Sequence, residues 1–232
     1  MATNYNPCIV TDGLVLCLDA GNPKSYPGSG TTWTDLSGNG NNGTLVNGVG
    51  YNGGNGGSLV FDGVNDLIYF GNNSTLYDAY DTTFTQEFWV NLISGASTGR
   101  TILRVDNWSR ISLSISTTGI SFTIGYSSPI DNLSYNSTFN YNQWYCISIV
   151  WNKLVSQQIY LNGYLVAERT PTVSNYTGIT GTAGGANIGR GHTNPFQTNI
   201  NAYIPSFKHY NKALTASEIQ QNFNATRSRY GI

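Results

Sequence analysis

The chain has 232 residues, a length that fits one large domain or two small ones. Charged residues make up only 10% of it, against about 25% in typical soluble domains, and the net charge is −1. A net charge this close to zero excludes the positive electrostatic field with which proteins bind nucleic acid. The sequence is instead rich in Asn, Gly and Tyr and contains only three Glu and four Lys, so strong helix formers are scarce. We therefore expect an all-β protein with polar loops.

The first eleven residues, which begin at Met1 and end at Thr11, show neither strand alternation nor an apolar run. No secretory signal peptide is predicted, because no basic stretch precedes an apolar segment. We interpret residues 1–12 as an N-terminal arm and residues 13–232 as one domain. The arm is predicted to dock on a partner chain, and the alternative is an edge strand around Ile9 and Val10. No window reaches the roughly 18 apolar residues of a membrane span, so membrane insertion is not expected.

Short alternating segments separated by Gly- and Asn-rich turns follow along the chain. In the clearest pair, residues 110–116 and 120–124, aliphatic residues occupy one face and hydroxyl residues the other. Further strands are predicted at 14–18, 58–61, 67–70, 84–92, 145–151, 158–161, 164–167, 186–188 and 201–210. The pair Asn162-Gly163 is typical of a two-residue hairpin turn. Roughly ten to thirteen short strands without a change of composition predict one antiparallel two-sheet β-sandwich.

One helix is predicted near the C-terminal end of the sequence. Thr215 and Glu218 have the spacing of a capping box, in which each side chain binds the backbone N–H of the other. Leu214 before the cap and Ile219 after it fit a hydrophobic staple. Ile219 and Phe223, four residues apart, give the helix an apolar stripe with which to pack on the sandwich.

Five segments in this order resemble the laminin-G-like or concanavalin-A-like jelly-roll family. They are GLV to LDA at 13–20, WTDLSGNGNNGT at 33–44, SLVFDGVND at 58–66, WY to IYLNG at 144–163 and NIG to YNKALTASEI at 187–219. The resemblance extends from about residue 9 to residue 232. It implies a concanavalin A-like jelly roll that ends in a closing strand and a short C-terminal α-helix.

The ending, QNF at 221–223 followed by RYG at 229–231, looks like copies of this domain in tailed-phage structural proteins. This similarity implies a protein that is made in the host cytoplasm and displayed on the virion surface. It also implies other virion proteins as partners, contacted through the N-terminal arm.

Glycoside hydrolases share this fold and need two carboxyl groups about 5–9 Å apart. None of Glu87, Glu168 and Glu218 has a second carboxylate within five positions. His192 and His209 lack a recognisable Ser or Cys nucleophile nearby in sequence. We interpret Glu87 as a solvated strand residue and His209 as structural, and we predict no active site.

An oxygen-rich loop is the candidate metal site. Asp35, Ser37 and Asn39 stand at positions 1, 3 and 5 of a loop with Gly40 at position 6, as in the first half of a calcium-binding loop. The carboxylate of position 12 is missing. Carboxylates from other parts of the chain would have to complete the site: Asp19, Asp62 or Asp66. The resemblance implies a structural calcium, whereas the alternative is that Asp35 and Asn39 make turns with neighbouring backbone.

Glycan binding needs an aromatic face for the sugar ring and amide or backbone groups for its hydroxyls. Four aromatic residues near loops are predicted to offer that face: Trp33, Trp108, Tyr126 and Phe196. Three others, Trp89, Trp144 and Trp151, fall within predicted strands and are interpreted as core.

Two functions remain open from the sequence. The first is a non-catalytic module of a phage virion that binds carbohydrate or another component of the host surface. The second is a purely structural decoration or fibre-associated protein that contacts other virion proteins. A glycoside hydrolase is a distant third, because the paired carboxylates are missing.

Overall fold

The computed structural model describes residues 8–71, 83–94, 100–105, 111–125, 130–172, 185–190 and 199–232. The strands in these ranges are β1 (Leu14–Asp19), β2 (Thr32–Trp33), β3 (Gly43–Val46), β4 (Gly50–Asn52), β5 (Ser58–Asp62), β6 (Leu67–Tyr69), β7 (Thr83–Leu92), β8 (Arg100–Val105), β9 (Ile111–Ser116), β10 (Gly119–Ile124), β11 (Asp131–Asn136), β12 (Trp144–Asn152), β13 (Ser156–Leu161), β14 (Tyr164–Arg169), β15 (Ala186–Ile188) and β16 (Asn201–Tyr210). One α-helix, α1 (Ala216–Thr226), follows them and continues into a 3-10 turn (Arg227–Tyr230).

The strands form two antiparallel sheets of eight strands each within the described residues. Sheet A has the order β14-β13-β12-β7-β16-β5-β4, and β1 also pairs with β16. Sheet B has the order β11-β10-β9-β8-β15-β6-β3-β2. The predicted two-sheet sandwich with a C-terminal helix is confirmed. The strand number is higher than predicted, because five strands in Gly-rich or polar segments were not predicted: β2, β3, β4, β8 and β11.

The predicted hairpins form where the alternation placed them. β9 and β10 pair across a turn that starts after Ser116, and Ile111, Leu113 and Ile115 are buried while the serines between them are partly exposed. At the turn between β13 and β14, Asn162 and Gly163 have φ of 51° and 81°. Two successive positive φ values are the type I′ geometry that an Asn-Gly pair favours.

The core lies between the two sheets and is rich in aromatic side chains. Phe88 of β7 stacks on Phe207 of β16 with 4.4 Å between ring centroids, and Phe84 meets Phe122 of sheet B edge-on at 6.3 Å. Trp151 is also fully buried there. Each such ring removes 150–250 Å² from water, so these contacts fix how the sheets face each other.

Helix α1 packs on the outer face of sheet A. Its capping box is confirmed: the Glu218 backbone N–H donates to Thr215 Oγ1 at 3.2 Å, and the Thr215 N–H donates to Glu218 Oε2 at 2.8 Å. Leu214 and Ile219 are buried in one cluster, as the staple predicted. With the helix on its outer side, β7 is buried on both faces from Phe84 onward.

This cover corrects the interpretation of Glu87. Its side chain is not solvated but lies beneath the helix, where its Oε1 accepts from Lys208 Nζ at 2.6 Å. His209, on the opposite face of β16, is fully buried and stacks on Phe84 at 5.8 Å between ring centroids, as expected of a structural residue. Desolvation lowers the pKa of His209 to about 3. His192 lies outside the described residues.

The end of the predicted N-terminal arm packs on the helix of the same chain. The Val10 N–H donates to Asn222 Oδ1 at 2.8 Å, and the Tyr210 hydroxyl donates to the Val10 carbonyl at 3.1 Å. Residues 8–11 are not a strand, so the edge-strand alternative is wrong for them. Residues 1–7 lie outside the described residues, and docking of the arm on a partner chain stays a prediction.

In the part of the chain that the structure describes, none of the helices has the length and apolar character needed to span a bilayer.

Candidate functional site

Three side chains from neighbouring strands form a row on the outer face of sheet A. Asn91 of β7 is paired with Trp144 of β12 on one side and with Tyr203 of β16 on the other. The register between β16 and β7 shifts between Tyr203 and Ser206. Because of this irregularity, both Tyr203 and Ser206 face outward, although strict alternation would place them on opposite faces. The row therefore has one amide between two aromatic rings.

The C-terminal segment covers the rest of this face but stops beside the row. Trp89, the next outward residue of β7, is fully buried under Phe223 of α1 and under Tyr230, with ring centroids 5.8 and 4.1 Å away. Tyr230 also contacts Trp144 at 4.8 Å between centroids. Helix and turn thus support the row from one side and leave its other side open.

The second wall is the Gly-rich loop between β4 and β5. Asn52 Oδ1 accepts from the Gly54 N–H at 2.7 Å, which bends the chain into the loop. Gly57 has φ of 105°, and a Cβ there would lie 2.7 Å from the Ala20 carbonyl, so only glycine fits. At Gly57 the loop therefore packs directly against the backbone of Ala20, the residue that follows β1.

Arg229 of the 3-10 turn holds the loop in place. Its guanidinium donates to the carbonyl oxygens of Asn55 at 2.8 Å and Gly57 at 2.6 Å, and more weakly to Gly56 at 3.2 Å. Its remaining nitrogen pairs with Asp19 Oδ1 at 2.6 Å. One side chain thus connects the C-terminal segment, the end of β1 and the loop.

Between these walls lies a pocket of about 180 Å³, which we call the Trp144 pocket. It is lined by seven residues: Asn52, Gly54, Asn55, Ser58, Asn91, Trp144 and Tyr203. Asn91 is only 7% exposed, and its Oδ1 accepts no hydrogen bond from any described residue. A buried acceptor without a donor among the described residues is costly, so a donor supplied at this point would stabilise it.

A second cavity of about 210 Å³ lies under α1 and includes Cys17, Lys208 and Arg229. Its charged groups already have partners, because Lys208 is paired with Glu87 and Arg229 with Asp19. Burial raises the pKa of the Cys17 thiol to about 11, so the reactive thiolate is scarce at neutral pH. This cavity therefore offers neither a free charge nor a nucleophile.

The aromatic platform predicted from the sequence is not formed as expected. Trp33 is fully buried in the core, because the pairing of β2 with β3 turns its ring inward, and this corrects its assignment as a loop aromatic. Trp108, Tyr126 and Phe196 lie outside the described residues. Their predicted contact with a ligand stays a prediction.

The predicted calcium loop folds as a set of turns. The Asp35 carboxylate accepts from the backbone N–H groups of Cys17, Ser37 and Asn41 at 2.9–3.0 Å, and from the Ser37 hydroxyl at 2.7 Å. Asn39 donates its amide to the Val15 carbonyl at 3.1 Å. These bonds match the alternative in which the loop residues bind nearby backbone.

The carboxylates that would complete a calcium site have other contacts. Asp19 binds Arg229, Asp62 Oδ1 accepts from the Val64 N–H at 2.7 Å, and Asp66 Oδ2 accepts from the Asp62 N–H at 3.0 Å. Burial raises the pKa of Asp66. Among the described residues, no three His, Cys, Asp or Glu side chains group closely enough to hold a metal ion. The predicted combination around Asp35 is therefore not assembled there.

Sequence reasoning did not find the Trp144 pocket. Trp144 was interpreted as core, and it is indeed only 8% exposed, but its remaining surface lines the pocket. One signal was available: Asn91 is a polar residue that follows the apolar run Phe88 to Val90 near the end of β7. Its neighbours Trp144 and Tyr203 are set by strand register, which the sequence alone does not reveal.

Comparison with known proteins gives a family and a fold. The family described as the Concanavalin A-like lectin/glucanases superfamily matches residues 62–220. No curated protein matches the sequence.

Solved structures match over nearly the whole chain. The binding domain of botulinum neurotoxin DC in complex with SialylT is 22% identical with a TM-score of 0.68, covering 93% of this chain and 52% of that one. A botulinum neurotoxin type C structure, from work on cell entry through two ganglioside molecules, is 19% identical with a TM-score of 0.70, covering 94% and 52%. A Trypanosoma rangeli sialidase mutant displaying trans-sialidase activity is 16% identical with a TM-score of 0.73, covering 97% and 35%. The chain thus spans about half of the neurotoxin domains, and these likenesses show the fold.

Proposed function

The chain belongs to the Concanavalin A-like lectin/glucanases superfamily, and from this we propose that it is a non-catalytic carbohydrate-binding module whose binding site is the Trp144 pocket. One observation carries the proposal. Buried Asn91 Oδ1 lacks a hydrogen-bond donor and stands between the rings of Trp144 and Tyr203.

The chemistry of this arrangement fits a sugar. The C–H face of a pyranose packs against aromatic rings, and a hydroxyl group next to that face can donate to Asn91 Oδ1. Asn52, Asn55 and Ser58 add amide and hydroxyl groups at the rim and wall of the same pocket. An apolar surface with a few directed polar groups is the usual composition of small-molecule sites.

The structural neighbours support the same class of ligand. The names of two neurotoxin structures refer to SialylT and to ganglioside molecules, and that of the third neighbour refers to trans-sialidase activity. All three names concern carbohydrates. Because the chain spans only about half or a third of these proteins, we use them as support for a carbohydrate ligand in general.

The state of the glutamates supports a module without hydrolase activity. Glu87 is bound to Lys208, Glu168 accepts from Gln158 at 2.6 Å, and Glu218 caps α1. A hydrolase needs a proton donor and a second carboxylate on either side of the scissile bond. The Trp144 pocket is lined by neither.

The proposal is tested by replacing the acceptor while preserving shape. We expect Asn91→Leu to weaken glycan binding by about 5- to 150-fold, since a lost hydrogen bond to a buried group costs about 1–3 kcal/mol. The ligand is first identified on a glycan array and then titrated by tryptophan fluorescence. The stability of the variant should be unchanged or higher, because an unsatisfied buried acceptor is removed.

Asn187→Leu is the matched control. Asn187 is also a buried strand residue, 8% exposed, whose Oδ1 accepts no hydrogen bond from the described residues, but it lies in sheet B. This variant should bind glycan like the wild type. Equal loss in both variants, or no loss in Asn91→Leu, would contradict the Trp144 pocket as the binding site.

We further propose that the module is displayed on a phage virion, with residues 1–7 docking on another virion protein. The support is the resemblance of the 221–231 ending to phage copies of the domain. Deleting residues 1–6 should abolish incorporation into particles with little change in melting temperature. A particle-bound deletion variant would contradict docking, whereas a docked protein that binds no glycan would favour a purely structural decoration.

A further inference from the structure

We propose that the Trp144 pocket selects an uncharged sugar residue and discriminates against sugars that carry a carboxylate. This inference rests on the proposed function and deepens it, because it assigns the charge class of the ligand. It depends on the charges around the pocket, on the one buried acceptor and on the size of the cavity.

Among the residues that the structure describes, none with a charged side chain lines the pocket. Its polar groups are the amides of Asn52, Asn55 and Asn91 and the hydroxyls of Ser58 and Tyr203. A carboxylate that enters such a site loses hydration and gains no opposite charge in return. A neutral hydroxyl or acetamido group exchanges its water for these amides at far lower cost.

Arg229, a cation that contacts the pocket wall, already has hydrogen-bond and ion-pair partners. Arg229 contacts the wall through the carbonyls of Asn55, Gly56 and Gly57, and its Nη1 pairs with Asp19. All three guanidinium nitrogens therefore donate within the protein. The positive charge of Arg229 is balanced by Asp19, and a ligand carboxylate that drew the guanidinium toward itself would compete with the contacts that hold the wall of the pocket.

The buried acceptor selects which group of the sugar can face it. Asn91 Oδ1 can only accept, so the ligand atom that approaches it must carry a hydrogen. A sugar hydroxyl or amide N–H meets this requirement, whereas an ionised carboxylate has no hydrogen to donate. An anionic oxygen placed next to Oδ1 would be repelled.

The volume limits the ligand to a single ring in the pocket. About 180 Å³ is below the roughly 300–1,000 Å³ of sites that enclose drug-sized molecules. The charge of that one residue therefore decides binding, while further residues of an oligosaccharide would extend outside.

The test compares sugars that differ only in charge. Methyl glycosides of glucose, galactose and mannose are titrated against the full chain, together with the uronic acid of each of these three sugars. We expect the neutral sugar that binds best to exceed its own uronic acid by about ten-fold or more. Its affinity should be the same at about 20 and 500 mM salt, since no ion pair is formed.

A variant pair adds a charge to the rim of the pocket. Asn52→Lys should raise the affinity for the uronic acid several-fold, and Asn52→Met, which also loses the bond to the Gly54 N–H, should not. If the uronic acid binds the wild type as well as the neutral sugar does, and Asn91→Leu abolishes both, the charge selection is wrong and the binding site stands. If no sugar of either class binds, the proposed function fails and the inference with it.

Discussion

Removal of the Glu87 charge tests how the outer face of sheet A is held under the helix. The Glu87 and Lys208 side chains are 1% and 5% exposed, and 2.6 Å separates Glu87 Oε1 from Lys208 Nζ. In Glu87→Gln the ammonium of Lys208 stays buried and keeps only a neutral acceptor. Breaking one partner of a buried pair costs about 3–5 kcal/mol. For a domain of this size, each kcal/mol lowers the melting temperature by about 2–4 °C, so we expect a loss of roughly 6–20 °C.

The pH dependence of stability should change sign in the variant. In the wild type, burial by itself lowers the pKa of Lys208, but the Glu87 carboxylate outweighs this and holds the pKa above its ordinary 10.5. The contribution of the wild-type pair is therefore complete below pH 10.5 and lost as pH rises above it. Without the carboxylate, burial outweighs the smaller contributions of Tyr210 and Cys17, and we expect the folded pKa of Lys208 to fall below the ordinary value. The variant should gain stability as pH rises toward 10.5.

The assay is thermal and urea unfolding of four proteins, at neutral pH and in steps toward pH 10. Glu168→Gln is the matched control, because Glu168 lies at an exposed position and binds only Gln158 among the described residues. The double variant Glu87→Gln/Lys208→Met removes both charges and should recover most of the loss. A Glu87→Gln protein that melts within 2 °C of Glu168→Gln, or a double variant no more stable than Glu87→Gln, would refute the reasoning.

Three further predictions concern other parts of the molecule. Asp35→Ala should lower the melting temperature by about 6–12 °C, which corresponds to a total loss of about 3 kcal/mol in hydrogen bonds to the carboxylate. Millimolar calcium should move the wild-type temperature by less than about 1 °C, and a calcium-dependent rise of about 5 °C or more, absent from Asp35→Ala, would show a bound ion. Thr215→Ala should cost about 1 kcal/mol through the lost helix cap, seen as a fall of about 2–4 °C, and an unchanged temperature would contradict the role of the cap. Arg229→Lys keeps the ion pair with Asp19 but loses the carbonyl contacts of the loop, so we expect about ten-fold weaker glycan binding with only a small change in stability. Arg227→Lys is its control. Equal binding by both variants would show that Arg229 does not position the pocket.

Local patterns account for the part of the fold that the sequence predicts correctly. The hairpin of β9 and β10, the Asn162-Gly163 turn and the capping box at Thr215 each depend on residues a few positions apart. Alternation and capping are local physical preferences, so they can be recognised without knowledge of the tertiary structure. Strands β2, β3 and β4 lack that pattern. They are strands because a neighbouring strand supplies their hydrogen bonds.

Distant contacts explain what the sequence did not predict. Glu87 occupies an alternating position that is normally exposed, and it is buried because a helix more than 120 positions later covers it. Trp33 is surrounded by polar and glycine residues, yet the pairing of β2 directs it into the core. The Trp144 pocket combines residues from four separate segments. Strand order and register bring these together, and neither can be read from residue type alone.

The dependence of the pocket on Arg229 and Tyr230 also governs when the protein becomes competent to bind during its synthesis. Asn52, Asn91, Trp144 and Tyr203 leave the ribosome before the two residues that fix the loop and support the tryptophan. Synthesis proceeds at about 5–20 residues per second, so Arg229 is made on the order of ten seconds or more after the loop that it anchors. After Lys208 has been made, Trp89 and the Glu87–Lys208 pair still lack their cover until the helix and the 3-10 turn follow. A nascent chain would therefore expose apolar surface on the outer face of sheet A. Sugar binding would begin only after Tyr230 has been made.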